Sequence, residues 1–243
     1  EAAEAGVEEF IFVTGRNKTA IEDHFDHSFE LEETLAAKGK DEALHLVKDM
    51  LHNPGSVFYV RQQQPAGLGH AVWCARHLVG SEPVAVLLAD DLILGASCVK
   101  EMVDAYKGGN MVAVMDVPHE QTGSYGIVTP GADDGRIVQV KGLVEKPDPS
   151  SAPSNIAVVG RYIITPEVFE TLAAQERGAG GEIQLTDALA KQIGKAPFSG
   201  VRFSGERFDW GSKLGFLKAN VAFGLNNDAM RDQLRDWLGE RLG

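Results

Sequence analysis

Two adjacent carboxylates, Asp90 and Asp91, interrupt an otherwise apolar run, Val84-Ala-Val-Leu-Leu-Ala-Asp-Asp-Leu-Ile-Leu94. A run of Val, Leu and Ala without polar alternation suits a buried strand covered on both faces, and ligands in α/β proteins gather at the carboxyl ends of such strands. Ionised carboxylates delivered there need a partner, and a hydrated Mg²⁺ is a common one. An acidic turn residue followed by a helix N-cap fits the same pair.

Other stretches carry chemistry of their own. In Gln62-Gln-Gln-Pro-Ala-Gly-Leu-Gly-His70, Gly67 and Gly69 let backbone amides approach a ligand, and an amide such as Gln62 matches a nucleobase edge. An ordinary tight turn has the same composition. Val144-Glu145-Lys146-Pro147 sets an acid beside a base at a strand end closed by proline, where alternation sends the two side chains in opposite directions. Such neighbours are also common on plain surfaces. Gly178-Ala-Gly-Gly-Glu-Ile-Gln-Leu-Thr-Asp187 is a Gly-rich approach to a helix expected near Glu182, an acid better suited to sugar hydroxyls than to phosphate. Asp209 emerges between aromatic residues and Gly211. Asp23, His24, Asp26 and His27 have the types of metal ligands, but on a charged helix they more often form a solvated face.

The elements that must position these residues alternate in type. Strand patterns cover Glu8–Thr14, Val57–Arg61, Val84–Leu94, Met111–Val117, Asn155–Ile164 and Val201–Ser204. Between them lie a charged helical pair from Lys18 to Leu51 broken near Gly39, a helix from Ala71 and another over Lys100–Tyr106. The Gly67 loop and the Asp pair are thereby expected on adjacent strand ends. Short strands at Ser124–Val128 and Gly135–Val140 flank a turn with hairpin composition and add antiparallel pieces. We expect an α/β, Rossmann-like mixed, mostly parallel sheet flanked by helices. The core domain would span residues 1–213. Residues 214–243 form a helical tail whose face of Met230, Leu234, Trp237 and Leu238 serves either its own core or a subunit contact. Glu1–Gly6 reads as the last turns of a helix, so a first strand and a Gly-rich loop are expected to precede Glu1.

The net charge of −12 argues against a nucleic-acid backbone or an anionic membrane as the main partner. Cys74 and Cys98, without paired spacing or His companions, point to neither a zinc site nor a disulfide framework, and a reducing cytoplasm is the simplest setting. No apolar segment reaches the length of a membrane span.

Taken together, Ala20-Ile-Glu-Asp-His-Phe-Asp-His-Ser-Phe-Glu-Leu-Glu32, Gly67-Leu-Gly-His-Ala-Val72, Val144-Glu-Lys-Pro147, Pro153-Ser-Asn-Ile-Ala157, the Gly178–Asp187 stretch and Asp209 with Gly211-Ser-Lys-Leu-Gly215 resemble the bacterial UTP-glucose-1-phosphate uridylyltransferase family. The resemblance is nearly chain-long, and its first piece is more particular to uridylyltransferases than to thymidylyl relatives. It implies that Gln62 and Gly67 read uracil, that Asp90 rather than Asp91 holds Mg²⁺ together with Asp209, and that Glu145 and Glu182 bind glucose hydroxyls. It further implies that the Gly126 amide seats the sugar and that Lys146 holds its phosphate. The family's N-terminal Gly-rich loop, with the basic residues that cradle the triphosphate, is not in this sequence.

The implied reaction joins UTP and glucose 1-phosphate into UDP-glucose and pyrophosphate by in-line attack without a covalent intermediate, in a homo-oligomer (dimer or tetramer). A glucose-1-phosphate thymidylyltransferase and a non-catalytic nucleotide-sugar-binding subunit are the competing expectations.

Overall fold

The structure, a computed structural model, describes residues 1–243. The chain begins with a short 3-10 turn at Ala3–Ala5 and then builds a small unit from β1 (Phe10–Thr14) and β2 (Val57–Arg61). These two strands pair in parallel from Phe10↔Val57 to Thr14↔Arg61, apart from the main sheet. Three short helices connect them, α1 (Thr19–His24), α2 (Phe29–Ala37) and α3 (Asp41–Asp49), where the sequence pattern suggested a pair.

The main body follows: α4 (Leu68–Cys74), β3 (Val84–Leu87), β4 (Asp91–Leu94), α5 (Cys98–Ala105), β5 (Asn110–Asp116), β6 (Gly126–Asp133), β7 (Ile137–Glu145) and β8 (Ile156–Ile164). Then come α6 (Glu167–Leu172), α7 (Leu185–Ala190), β9 (Phe198–Arg202), β10 (Glu206–Asp209), α8 (Lys213–Asn226) and α9 (Arg231–Leu242). Six strands form one sheet in the order β3-β8-β5-β9-β7-β6. The α/β class and the mixed sheet match the expectation, but its mostly parallel character does not. Only β5 and β9 run parallel within this sheet, while β8 lies antiparallel to both β3 and β5. The reason is burial: all nine residues of β8 are buried, and a strand covered on both faces reads as a continuous apolar run whichever way it points.

Alternation along the central strands divides the core into two layers. Val112 and Val114 join Val158, Tyr162, Leu172, Leu185 and Leu189 beneath α4, α6 and α7. Met111 and Ala113 join Val159, Ile163, Val201 and Cys98 beneath α5. Ser97 caps α5, its hydroxyl accepting from the Lys100 amide at 3.1 Å.

The run Val84–Leu94 is not one strand. It breaks after Leu87: β3 pairs with β8 in the main sheet, whereas β4 leaves it to pair antiparallel with β10. Nor does β2 neighbour β3, so the Gly67 loop and the Asp pair are not on adjacent paired strands. Past Lys213, α8 packs on β4 and β10, and α9 folds back on α8. Leu214, Phe216, Leu217 and Trp237 stay exposed along this tail. No helix is long and apolar enough to cross a membrane.

Candidate functional site

The break in the Val84–Leu94 run creates the first part of the site. The Leu88 amide still bonds Gly160 O at 2.9 Å, and the Asp91 amide returns to Leu88 O at 3.2 Å, so Ala89 and Asp90 stand out from the fold at a turn. β10 brings in the second acid, because its register sets Asp209 opposite Asp91 and the Trp210 amide donates to Asp90 O at 2.8 Å. A methyl group placed on Gly211 would meet Asp209 Oδ1 at 3.0 Å and Asp90 Oδ2 at 3.6 Å. The two carboxylates therefore converge on one point above a residue that must remain small. No group of three or more His, Cys, Asp or Glu side chains converges anywhere. An exposed carboxylate, Asp90, and a half-buried one, Asp209, facing the same point suit a hard divalent cation such as Mg²⁺, which retains waters and accepts substrate phosphates.

Asp91 is built differently. It is 5 % exposed; its Oδ2 accepts from the Gly160 amide at 2.6 Å, and its Oδ1 receives the Arg207 guanidinium through Nε and Nη2. Its carbonyl accepts from Arg161 Nη2 at 2.7 Å. Burial opposes the charge on Arg207, but Asp91 outweighs it and holds the guanidinium pKa above its ordinary value. Arg161 in turn pairs with Glu1 at 2.8 Å.

A second corner lies where β6 meets the end of β7. Gly126 pairs with Glu145, and a methyl group on Gly126 would press on Glu145 Oε2 at 3.2 Å and on the Thr186 side chain at the same distance. Lys146 follows with φ 45°, a left-handed conformation that is unusual for a non-glycine residue. Strand alternation predicts that Glu145 and Lys146 diverge. Instead the backbone turn at Lys146 ends the alternation, and its Nζ lies 3.7 Å from Glu145 Oε1. The Lys146 amide is held by Tyr125 O at 2.9 Å. Strain of this kind collects where a side chain must be aimed.

The third corner is the Gly67 loop. Gln62 Nε2 donates to Gly67 O at 3.1 Å and lies 3.0 Å from His70 Nδ1, which fixes the amide at the mouth of the loop. Gly67 has φ 107°, and a methyl group there would meet Ile183 O at 2.7 Å and Glu182 Cβ at 2.8 Å. Bonds from the Ile183 amide to Ala66 O and from the Gly69 amide to Ile183 O, each 2.8 Å, stitch this loop to the Glu182 segment. Glu182 is exposed and extended, touched by Gln184 Nε2 at 3.1 Å. The helix expected near Glu182 begins at Leu185.

The structure thus groups Asp90 with Asp209, Gly126 with Glu145 and Lys146, and Gln62 with Gly67 and Glu182. The segment from Glu182 to Thr186 touches the second and third groups, while Arg207, bound to Asp91 and to the Tyr125 hydroxyl, runs from beside the first group to the second. Sequence reasoning missed Thr186, Tyr125, Arg207 and the buried Tyr162, whose hydroxyl is kept protonated well above its usual range by burial and by Glu145. Arg207 carried one signal, its place two residues before Asp209 and so on the same strand face. The histidines near α1 do not converge: His27 meets Glu32 at 2.9 Å, and His24 lies edge-on to Phe25 with ring centroids 5.1 Å apart.

Residues 1–223 match the nucleotidyl transferase family. The UTP–glucose-1-phosphate uridylyltransferase of Komagataeibacter xylinus is 49% identical over 241 residues, 98% of this chain and 82% of the relative. Among solved structures, the UTP-bound UGPase from Acinetobacter baumannii superposes with a TM-score of 0.89 at 38% identity, covering 98% of this chain and 85% of the other. A UDP-glucose pyrophosphorylase complexed with UDP-glucose superposes with a TM-score of 0.82 at 38% identity, covering 93% and 84%.

Proposed function

Because the chain belongs to the UTP–glucose-1-phosphate uridylyltransferase family of nucleotidyl transferases, we propose that it transfers a uridylyl group from UTP to glucose 1-phosphate, releasing UDP-glucose and pyrophosphate. The observation that carries this reading is the convergence of Asp90 and Asp209 above Gly211, linked through Asp91, Arg207 and Tyr125 to the corner that holds the exposed Lys146.

In this reading Gln62 presents its amide to the uracil edge while Gly67 leaves room for the base. Glu145 and Glu182 accept hydrogen bonds from glucose hydroxyls, and the Gly126 amide seats the sugar. Lys146 meets the sugar phosphate as a compact cation. Asp90 and Asp209 hold Mg²⁺, which when bound offsets the charge of the assembled phosphates. The attacking sugar-phosphate oxygen is already an anion, so no general base is assigned; the chain's task is to align two polyanions. We place the reaction in the cytoplasm. We also assign the exposed apolar face of the 214–243 tail to contact with a second copy, supported by Leu214, Phe216, Leu217 and Trp237.

Pyrophosphate release measured side by side with UTP and dTTP tests the substrate. UTP should be preferred, and a preference for dTTP would make the chain a thymidylyltransferase. Lys146→Ala should raise KM for glucose 1-phosphate by about tenfold to a hundredfold, the worth of a charge-assisted bond, with little change for UTP.

A further inference from the structure

We propose that Arg207 is a positioning residue that locks two parts of the candidate site in register, the Asp90–Asp209 pair and the Tyr125–Lys146 corner. The inference rests on the proposed roles of Asp90, Asp209 and Lys146 but goes beyond them, since the half-buried Arg207 bonds both Asp91, next to the acid pair, and Tyr125, next to the Lys146 corner.

The strand register makes a charged bridge necessary. Asp91 and Asp209 lie directly opposite each other in the β4–β10 ladder, so their side chains share a face, and like charges in that relation repel. Arg207 stands two residues before Asp209 on the same face, the diagonal neighbour of Asp91. Its guanidinium takes Asp91 through Nε and Nη2, which neutralises the buried acid and leaves the Asp209 carboxylate free to act with Asp90. The remaining arm, Nη1, donates to the Tyr125 hydroxyl at 3.1 Å, with the guanidinium 5.4 Å from the ring centroid. Tyr125 immediately precedes Gly126, and its carbonyl holds the Lys146 amide at 2.9 Å, next to the strained φ of 45°. A single planar fork thus joins the floor beneath the acids to the backbone that aims Lys146. Lysine, with one point charge, reproduces only part of this geometry.

Tyr125→Phe cuts the link while leaving the Asp91–Arg207 pair intact. It should lower kcat by about tenfold, because misplacement of aligned reactants acts on the transition state. KM for UTP and the urea midpoint should remain at wild-type values, which a merely structural role of the hydroxyl would not predict. Arg207→Lys should lower kcat as well, and in the double variant the two losses should not multiply. Should Arg207→Lys fail to fold, Tyr125→Phe carries the test alone. A Tyr125→Phe enzyme with wild-type kcat, or losses that multiply, overturns the link. Asp90→Ala serves as the control: inactive Asp90→Ala beside wild-type Tyr125→Phe refutes the link alone, whereas active Asp90→Ala refutes the underlying site.

Discussion

Asp91 lies buried on the floor of the site with one oxygen taken by the Gly160 amide and the other by Arg207, whereas Asp90, one residue earlier, is exposed on the rim and aimed with Asp209 at the space above Gly211. The floor is a closed electrostatic unit in which each charge has its partner inside the protein. The rim is open, and its charges become useful when a ligand supplies the partner. Two identical side chains in sequence thus divide into one that holds the geometry and one that the geometry presents.

The floor should break first when its pairing is broken. Asp91→Ala leaves the Arg207 guanidinium buried without its carboxylate, so stability should fall by about 3–5 kcal/mol, read from urea denaturation. A loss under about 1 kcal/mol would show that the floor is not what holds β4 to β10.

The same comparison extends to Cys98, which is fully buried below the floor and influenced by Glu1 and Asp91. Burial, reinforced by Glu1, pushes its thiol from 9.0 up to about 12. The folded state therefore keeps the proton that the unfolded chain gives up. This contribution is fully present below about pH 9 and is lost as pH rises toward 12, at up to about 1.4 kcal/mol per pH unit. Urea midpoints followed above pH 9 should fall less steeply for Cys98→Ser than for the wild type; identical slopes would place the alkaline loss elsewhere.

At the rim, strain is the counterpart of pairing. Lys146→Gly removes the cost of a left-handed non-glycine residue and should raise stability by roughly 1 kcal/mol, while KM for glucose 1-phosphate rises. A variant that loses stability would show that the Lys146–Glu145 contact outweighs the strain.

The rim was largely legible in the sequence and the floor was not. Lys146 beside Pro147, and Glu182 and Asp209 near glycines, stand out by residue type, whereas in the sequence Asp90 is distinguished from Asp91, and Glu145 from ordinary surface acids, only by the family resemblance; the α/β class follows from alternating apolar runs. What separates Asp90 from Asp91 is the Gly160 amide 69 residues onward and the Arg207 guanidinium 116 residues onward, contacts no local pattern encodes. The break in the Val84–Leu94 run is likewise decided by two distant strands, β8 and β10, competing for its two halves. Strand direction stayed hidden because β8 is buried throughout. The meeting of Glu145 with Lys146 depends on a φ that no residue other than glycine advertises.

The division of the pair is tested most directly by pyrophosphate release from UTP and glucose 1-phosphate catalysed by Asp90→Asn over a titration of Mg²⁺, with the protein shown to unfold at the wild-type urea concentration. Turnover should drop by about a hundredfold or more, the usual scale for losing a group that acts on developing charge, and added Mg²⁺ should not restore it. Wild-type turnover in this variant would contradict the assignment of Asp90 to the rim's chemistry and with it the account of the site.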